Sequence, residues 1–377
     1  MFNRNALKAI AIMLPIVLFI SCTNISNNPE TKNLPKTTVE QLNQIIRKDL
    51  NEMNLPGVVV AIWIPGEGNY FFAEGVADKK TGRKRNIGDQ FRIASITKTF
   101  TATVVEDLIK EEKIKRSDKL SQYYPDFPNA KKITIKDLLN MRSGIADFAD
   151  KEFLKRCYNN PFMRILPEEI IEISAEKADL FNEPDKETVY CNTNYILLGE
   201  IVRKVTGNSI GVEIKKRIFI PLNMEYSQYP ENDILPGKLH GYSWNIQSKR
   251  FEDKTRLNPL WAGAAGAIIS NVYDLKKYVK AMYNSAKTTQ RLVTFPFNGA
   301  PDWLRYGEGI AKMRLFWGHN GTIFGFSSEL WYLPEKDAVI VINVNRLDID
   351  DKSKSSKIFS DITRILFPEY INGKKKS

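Results

Sequence analysis

The stretch at residues 91–115, FRIASITKTFTATVVEDLIKEEKIK, constrains the rest of the chain most strongly. Apolar residues at Ile96, Phe100, Val104, Val105, Leu108 and Ile109 fall at the three-and-four spacing of one amphipathic helix with a buried face. Such a helix is expected to lie at the centre of the molecule. Ser95 stands in its first turn, where unpaired backbone N–H groups and the positive end of the helix dipole favour a developing oxyanion. Lys98 follows three residues later and shares that side of the helix. A serine hydroxyl becomes a good nucleophile when a base removes its proton, and a lysine of depressed pKa can be that base.

The same spacing occurs at Ser174 and Lys177, inside PEEIIEISAEKADL. There Ile170, Ile171 and Ile173 carry the apolar side, and 174–177 is expected to be a solvated surface turn. Only Ser95 follows a strand-like run and a turn and then opens a long apolar-faced helix.

With 377 residues, 43% of them hydrophobic, the chain can bury a large core as one domain or two intimate ones. Its net charge of +11 is scattered among acids, apart from Lys374, Lys375 and Lys376, which argues against nucleic-acid binding. Two histidines, His240 and His319, exclude a histidine-ligated metal centre, and nothing in the sequence calls for a cofactor. The cysteines are Cys22, Cys157 and Cys191.

Residues 1–22 pair a basic start, MFNRNALK, with a short apolar run and LFISC, the pattern of an export signal ending in a lipobox with Cys22 as the lipidated residue. Residues 23–37 are polar, without periodicity, and are expected to be a flexible tether. The body is expected at 38–377. It opens with the helix TTVEQLNQIIRKDLNEM, capped by Thr37 or Thr38, and continues into a hairpin of VVVAIWI and NYFFAEGVA. Residues 116–263 should form an α-rich lobe that includes NYILLGEIVRKVTG, ended by Gly207. AGAAGAIIS is a tightly packed strand or turn and VYDLKKYVKAM a helix. RYGEGIAKMR, LFWGHNGTIFGFSSELWYLP and DAVIVINVN are antiparallel strands, followed by the helix SSKIFSDITRILF. The predicted class is α+β: an antiparallel sheet and covering helices from about 38–115 and 264–377, with the site in a cleft against the α-rich lobe.

Lys80-Thr81-Gly82 precedes Ser95 in a charged turn, where glycine supplies a positive φ. Of three Tyr-x-Asn triplets, at 158–160, 190–192 and 370–372, only Tyr190-Cys191-Asn192 sits in a loop directly before an apolar helix. A phenol near a lysine can shuttle a proton, and an amide can orient a substrate amide. His319-Asn320-Gly321 enters a strand, where His319 is expected to contact substrate and Gly321 to let an acyl group pass close to the backbone.

Ser95-x-x-Lys98, Tyr190-x-Asn192 and His319-x-Gly321 occur in the order found in serine β-lactamases and penicillin-recognising DD-peptidases, which the chain resembles over about residues 38–345. FRIASITKTFTA, LLNMRSGIADF, WAGAAGAIISNVYDLKKYV and YGEGI add to the likeness. The His-x-Gly version and the Trp261 segment are most similar to the DD-carboxypeptidase branch, related to class C β-lactamases and including D-amino-acid amidases and esterases. The resemblance implies a β-lactamase/transpeptidase-like fold and an acyl-enzyme at Ser95, with Lys98 and Tyr190 sharing proton transfer. It also implies substrate contacts from Asn192, Trp261, His319, Gly321 and Thr322, with the Ser95 and Thr322 N–H groups forming an oxyanion hole. The expected substrates are peptidoglycan-derived D-amino-acid peptides or β-lactams, met at the cell envelope by a lipid-anchored or secreted enzyme. Two positions depart from the family: Ala311 replaces the arginine that grips a substrate carboxylate, and Cys191 replaces a serine. Cys191 is a small packing residue or a partner for Cys157, with free thiols favoured. A β-lactamase, an esterase or amidase, and a non-catalytic binding or sensor module are the alternatives to a D-alanyl-D-alanine carboxypeptidase.

Overall fold

A computed structural model describes residues 32–348 and 353–371. The expected export signal, Cys22 and the start of the expected tether lie outside the described residues. The rest of the tether is part of the body. Asn69 and residues 32–34 exchange two backbone hydrogen bonds, of 2.7 and 3.0 Å, and Leu34 is buried. Helix α1 (Lys36–Glu52) starts directly after Pro35, without the threonine side-chain cap expected from the sequence, and buries Leu42 and Ile46.

Strand β1 (Gly57–Ile64) is buried along its whole length, as its continuous apolar run requires. It forms the expected hairpin with β2 (Gly68–Gly75). The chain then passes through β3 (Phe91–Arg92), α2 (Thr97–Lys110), α3 (Ile135–Leu139), α4 (Lys151–Asn159), α5 (Pro167–Ala175), α6 (Asn192–Thr206) and α7 (Ile210–Ile214). A small hairpin, β4 (Tyr242–Asn245) with β5 (Arg250–Asp253), leads to α8 (Gly263–Gly266), β6 (Ile269–Ser270) and α9 (Val272–Ala286). Strands β7 (Phe295–Pro296), β8 (Leu304–Tyr306), β9 (Ala311–Met313), β10 (Phe316–Ile323), β11 (Phe326–Leu333) and β12 (Ala338–Val344) follow, with α10 (Lys354–Leu366) and α11 (Pro368–Ile371) closing the chain.

The main sheet is antiparallel, in the order β2-β1-β12-β11-β10-β9-β8-β7, so strands from both ends of the chain meet at the β1–β12 pair. Adjacent side chains on a strand face opposite ways, and this places the covering helices. Phe359 of α10 packs on Phe316 and Trp331, while Tyr283 of α9 packs on Trp317 and Tyr332, so the two helices cover opposite faces. With both faces covered, every residue of β11 and β12 is buried.

The single helix expected over 91–115 is divided in three. Phe91 and Arg92 pair with β6 as a strand, Ala94–Ile96 forms one tight 3₁₀ turn, and α2 runs only from Thr97 to Lys110. Ala94 has a φ of +49°, which breaks helical continuity immediately before Ser95, and Glu112 at +58° ends it on the other side. The second Ser-x-x-Lys differs from the solvated turn expected of it. Ser174 is fully buried and donates to the Ala146 carbonyl at 2.8 Å, while Lys177 turns away to Asp150 at 2.7 Å. The Lys80-Thr81-Gly82 turn is as expected, with Gly82 at φ +74°. Gly207 ends α6 at φ +75°.

Candidate active site

The turn that carries Ser95 is clamped from three directions. The Thr97 hydroxyl accepts from the Ile268 amide at 3.1 Å, and the Thr101 hydroxyl donates to the Ala264 carbonyl at 2.7 Å, fastening α2 to α8 and β6. The buried Arg291 guanidinium donates to the Thr99 carbonyl and the Thr103 hydroxyl, each at 2.7 Å, and to the Glu308 carbonyl at 2.8 Å. Strand β10 presses on the turn itself. A Cβ at Gly321 would stand 2.2 Å from the Ile93 oxygen and 3.0 Å from the Ser95 nitrogen. Within this buried frame Ser95 is half-exposed.

Lys98 Nζ lies 3.1 Å from Ser95 Oγ, 2.8 Å from Asn192 Oδ1 and 2.8 Å from the Ala265 carbonyl. Three acceptors match the three protons of an ammonium. They equally match a neutral amine that donates two and accepts the Ser95 hydroxyl proton. Burial pushes the Lys98 pKa down to about 7, opposed by the charge of Asp147, so both forms are accessible near neutrality. The Tyr190 ring packs over Nζ at 4.9 Å, and the nearby Ser95 hydroxyl lowers the phenol pKa against the larger effect of burial. Burial holds that phenol well above its ordinary pKa, so at neutral pH it keeps its proton.

Sequence reasoning missed Asp147. Its carboxylate accepts from Asn192 Nδ2 at 2.7 Å and from the Asn192 backbone N–H at 3.1 Å. Asp147 stands in GIADF, a loop without helix or strand periodicity, and a lone acid there carries no signal of its destination. Of the other Tyr-x-Asn triplets, Tyr158 is spent on Glu252 at 3.0 Å, and 370–372 runs beyond the described residues.

His319 and Gly321 do not line the pocket that Ser95 opens on. His319 is buried, with Nε2 3.2 Å from the Tyr306 hydroxyl and Nδ1 against the Asn320 carbonyl. Burial, reinforced by nearby Lys98, pushes its pKa down to about 3. It is therefore a neutral imidazole, donating from Nδ1 and accepting at Nε2, rather than a polar or cationic substrate contact. Gly321 makes room for the Ser95 turn. Ser95, Tyr190, Asn192, Trp261 and Thr322 do converge on one pocket of about 240 Å³. Phe148, Leu154, Ile323, Phe324 and Leu347 supply apolar wall beside these polar groups, and the buried Trp261 Nε1 has no partner among the described residues. Among the described residues Asp348 is the one charged side chain of the lining, and Arg346 holds it at 3.1 Å.

Beside the Ala311 position, Lys312 lies over Trp317 at 5.0 Å and Arg314 over Trp303 at 5.0 Å, so neither guards the pocket. Cys157 and Cys191 are free and buried, and burial pushes both thiols up to about 12.

The family model described as Beta-lactamase matches residues 42–359, and the chain belongs to the beta-lactamase family, with the β-lactamase/transpeptidase-like fold of a serine hydrolase. Protein flp of Staphylococcus aureus (strain MRSA252) is 27% identical over 332 residues, which cover 83% of this chain and 64% of that protein's length. The D-stereospecific amidohydrolase from Streptomyces sp. is similar in structure, with a TM-score of 0.74 and 26% identity over 89% of this chain and 99% of that one. The D-amino acid amidase from Ochrobactrum anthropi SV3, complexed with D-phenylalanine, gives a TM-score of 0.75 and 25% identity over 89% and 99% of the two chains.

Proposed function

We propose that this chain hydrolyses amide or ester bonds of small D-amino-acid derivatives through an acyl-enzyme at Ser95. The observation that carries the reading is Lys98 Nζ, 3.1 Å from Ser95 Oγ and pushed to a pKa of about 7, buried behind a Ser95 that lines the pocket. Neutral Lys98 takes the Ser95 proton as Oγ bonds to the substrate carbonyl carbon. The oxyanion is received by the Ser95 and Thr322 N–H groups. Tyr190 relays the proton to the leaving nitrogen or oxygen, the bond to it breaks, and water then releases the acid by the reverse route. Asn192 and the free Trp261 Nε1–H face the substrate's polar atoms.

The D-alanyl-D-alanine carboxypeptidase reading requires a cation for the terminal carboxylate. Ala311, the stacking of Lys312 and Arg314 on tryptophans, and the Asp348–Arg346 pair leave none in the pocket wall among the described residues. The similar amidohydrolase and amidase support an amide or ester end instead. Action at the cell envelope after export remains part of the proposal, on the strength of the leader sequence.

Intact-mass spectrometry and product analysis with D-phenylalanine amide, a D-alanyl-D-alanine peptide and a chromogenic cephalosporin test the reading in wild type and Ser95→Ala. The amide is expected to turn over fastest, and Ser95→Ala to lose at least about a thousandfold. Preference for the carboxylated peptide would restore the carboxypeptidase reading. A stable adduct without turnover of any substrate would favour a sensor.

A further inference from the structure

Cys191, the residue before α6, supplies no side-chain cap to that helix. Asp147 does so from another loop, accepting the Asn192 N–H while its second oxygen holds Asn192 Nδ2. The second bond decides which way the Asn192 amide faces. With the NH₂ end held by a carboxylate, the oxygen end must point at Lys98, where Oδ1 accepts at 2.8 Å. A reversed amide would aim N–H groups at the ammonium and at the Ala265 side of its cage. The loop is built to keep Asp147 in place: Thr193 Oγ1 accepts from the Phe148 amide at 3.0 Å, Ser174 holds the Ala146 carbonyl, and Ser143 Oγ donates to Asn194 at 2.7 Å.

We infer that Asp147 is a positioning residue for the proposed Lys98 base, orienting Asn192 and supplying the counter-charge one amide away from Nζ. The inference rests on the acyl-enzyme reading. The other titratable groups facing Lys98 are Tyr190 and Tyr195, whose rings lie 4.9 and 5.8 Å from Nζ, with Cys191 and His319. Burial raises the pKa of both tyrosines and of Cys191 and lowers that of His319, so all four are neutral around pH 7. Lys177 reaches the Asp147 backbone carbonyl at 3.3 Å but is matched by Asp150. Asp147, whose carboxyl burial pushes up against the hydrogen bonds of Asn192 and Ala149 and the charge of Lys98, is thus the acid that Lys98 responds to.

The sign follows from the charge. An anion nearby favours the ammonium, so its removal makes Lys98 lose its proton at lower pH. In Asp147→Asn the acid limb of kcat/KM for p-nitrophenyl acetate should move from about pH 7 in wild type downward by about one unit. Its plateau should fall about tenfold, because the Asn192 amide is no longer fixed. Asp147→Ser keeps a cap acceptor without the charge and carries the same expectation if Asp147→Asn does not fold. Titration of the Lys98 Cε resonance by NMR reads the shift without substrate. An unmoved limb and an unmoved resonance, with Ser95-dependent turnover, would reduce Asp147 to a helix cap and overturn the inference alone. Turnover that survives in Ser95→Ala would overturn the acyl-enzyme reading and this inference with it.

Discussion

A methyl group added at Gly321 has nowhere to go, because the Ile93 oxygen at 2.2 Å and the Ser95 nitrogen at 3.0 Å are both backbone atoms of the clamped turn. Gly321→Ala should therefore push β10 and the Ser95 turn apart, costing roughly 1–3 kcal/mol of stability. It should also slow acylation more than tenfold, since a displacement of about 1 Å at a nucleophile is enough for such a loss. Thermal unfolding and the rate of adduct formation check the two effects, and acylation at the wild-type rate would refute the close-approach account. The same scale explains His319. A histidine between two glycines near a strand start looks available to substrate in one dimension, yet the Tyr306 hydroxyl and the Asn320 carbonyl occupy both ring nitrogens.

Helix α2 is held through its threonines and a backbone carbonyl by partners far along the chain. Arg291 is the strongest of these, joining the Thr99 carbonyl, the Thr103 hydroxyl and the Glu308 carbonyl of the turn between β8 and β9. Arg291→Met leaves these buried acceptors without that donor and should cost roughly 3 kcal/mol. Denaturant unfolding measures it, and a loss under about 1 kcal/mol would show that α2 is held by packing alone. Packing does contribute. A Cβ on Gly199 of α6 would lie 2.5 Å from Ala264 Cβ, so small residues let α6 and α8 approach closely. AGAAGAIIS was readable as tightly packed; that α6 is the element it packs against was not.

Burying a lysine at the junction of α2, α6 and α8 also shapes the stability of the molecule as a whole. The folded pKa of about 7 lies below the ordinary lysine value of 10.5, so the native state releases this proton first. Below about pH 7 both states hold the proton and the native state bears the full cost of a buried ammonium. As pH rises above 7 the unfolded chain still binds a proton that the native chain lacks, and stability increases. The expected slope approaches about 1.4 kcal/mol per pH unit from about pH 7 to 8.5, and it should vanish in Lys98→Met. At higher pH ionisation of the unfolded thiols works the other way, because both native thiols are pushed up to about 12. An equal slope in the two proteins by chemical denaturation would show that Lys98 is not the group responsible.

Much of the architecture was legible because it is written in local periodicities. Two-residue alternation and apolar runs marked the strands, three-and-four spacing marked α1, α6, α9 and α10, and the glycine after α6 marked its end. Ser95, Lys98, Tyr190 and Asn192 could be picked out because each opens or adjoins such an element. Tertiary structure alone decided the division of residues 91–115, the burial of Ser174 and the neutrality of His319. It also turned Lys312 and Arg314 away from the pocket and brought Asp147 to Asn192. Each depends on what a side chain meets after distant segments converge, and burial and hydrogen bonding at such meetings have no period along the chain.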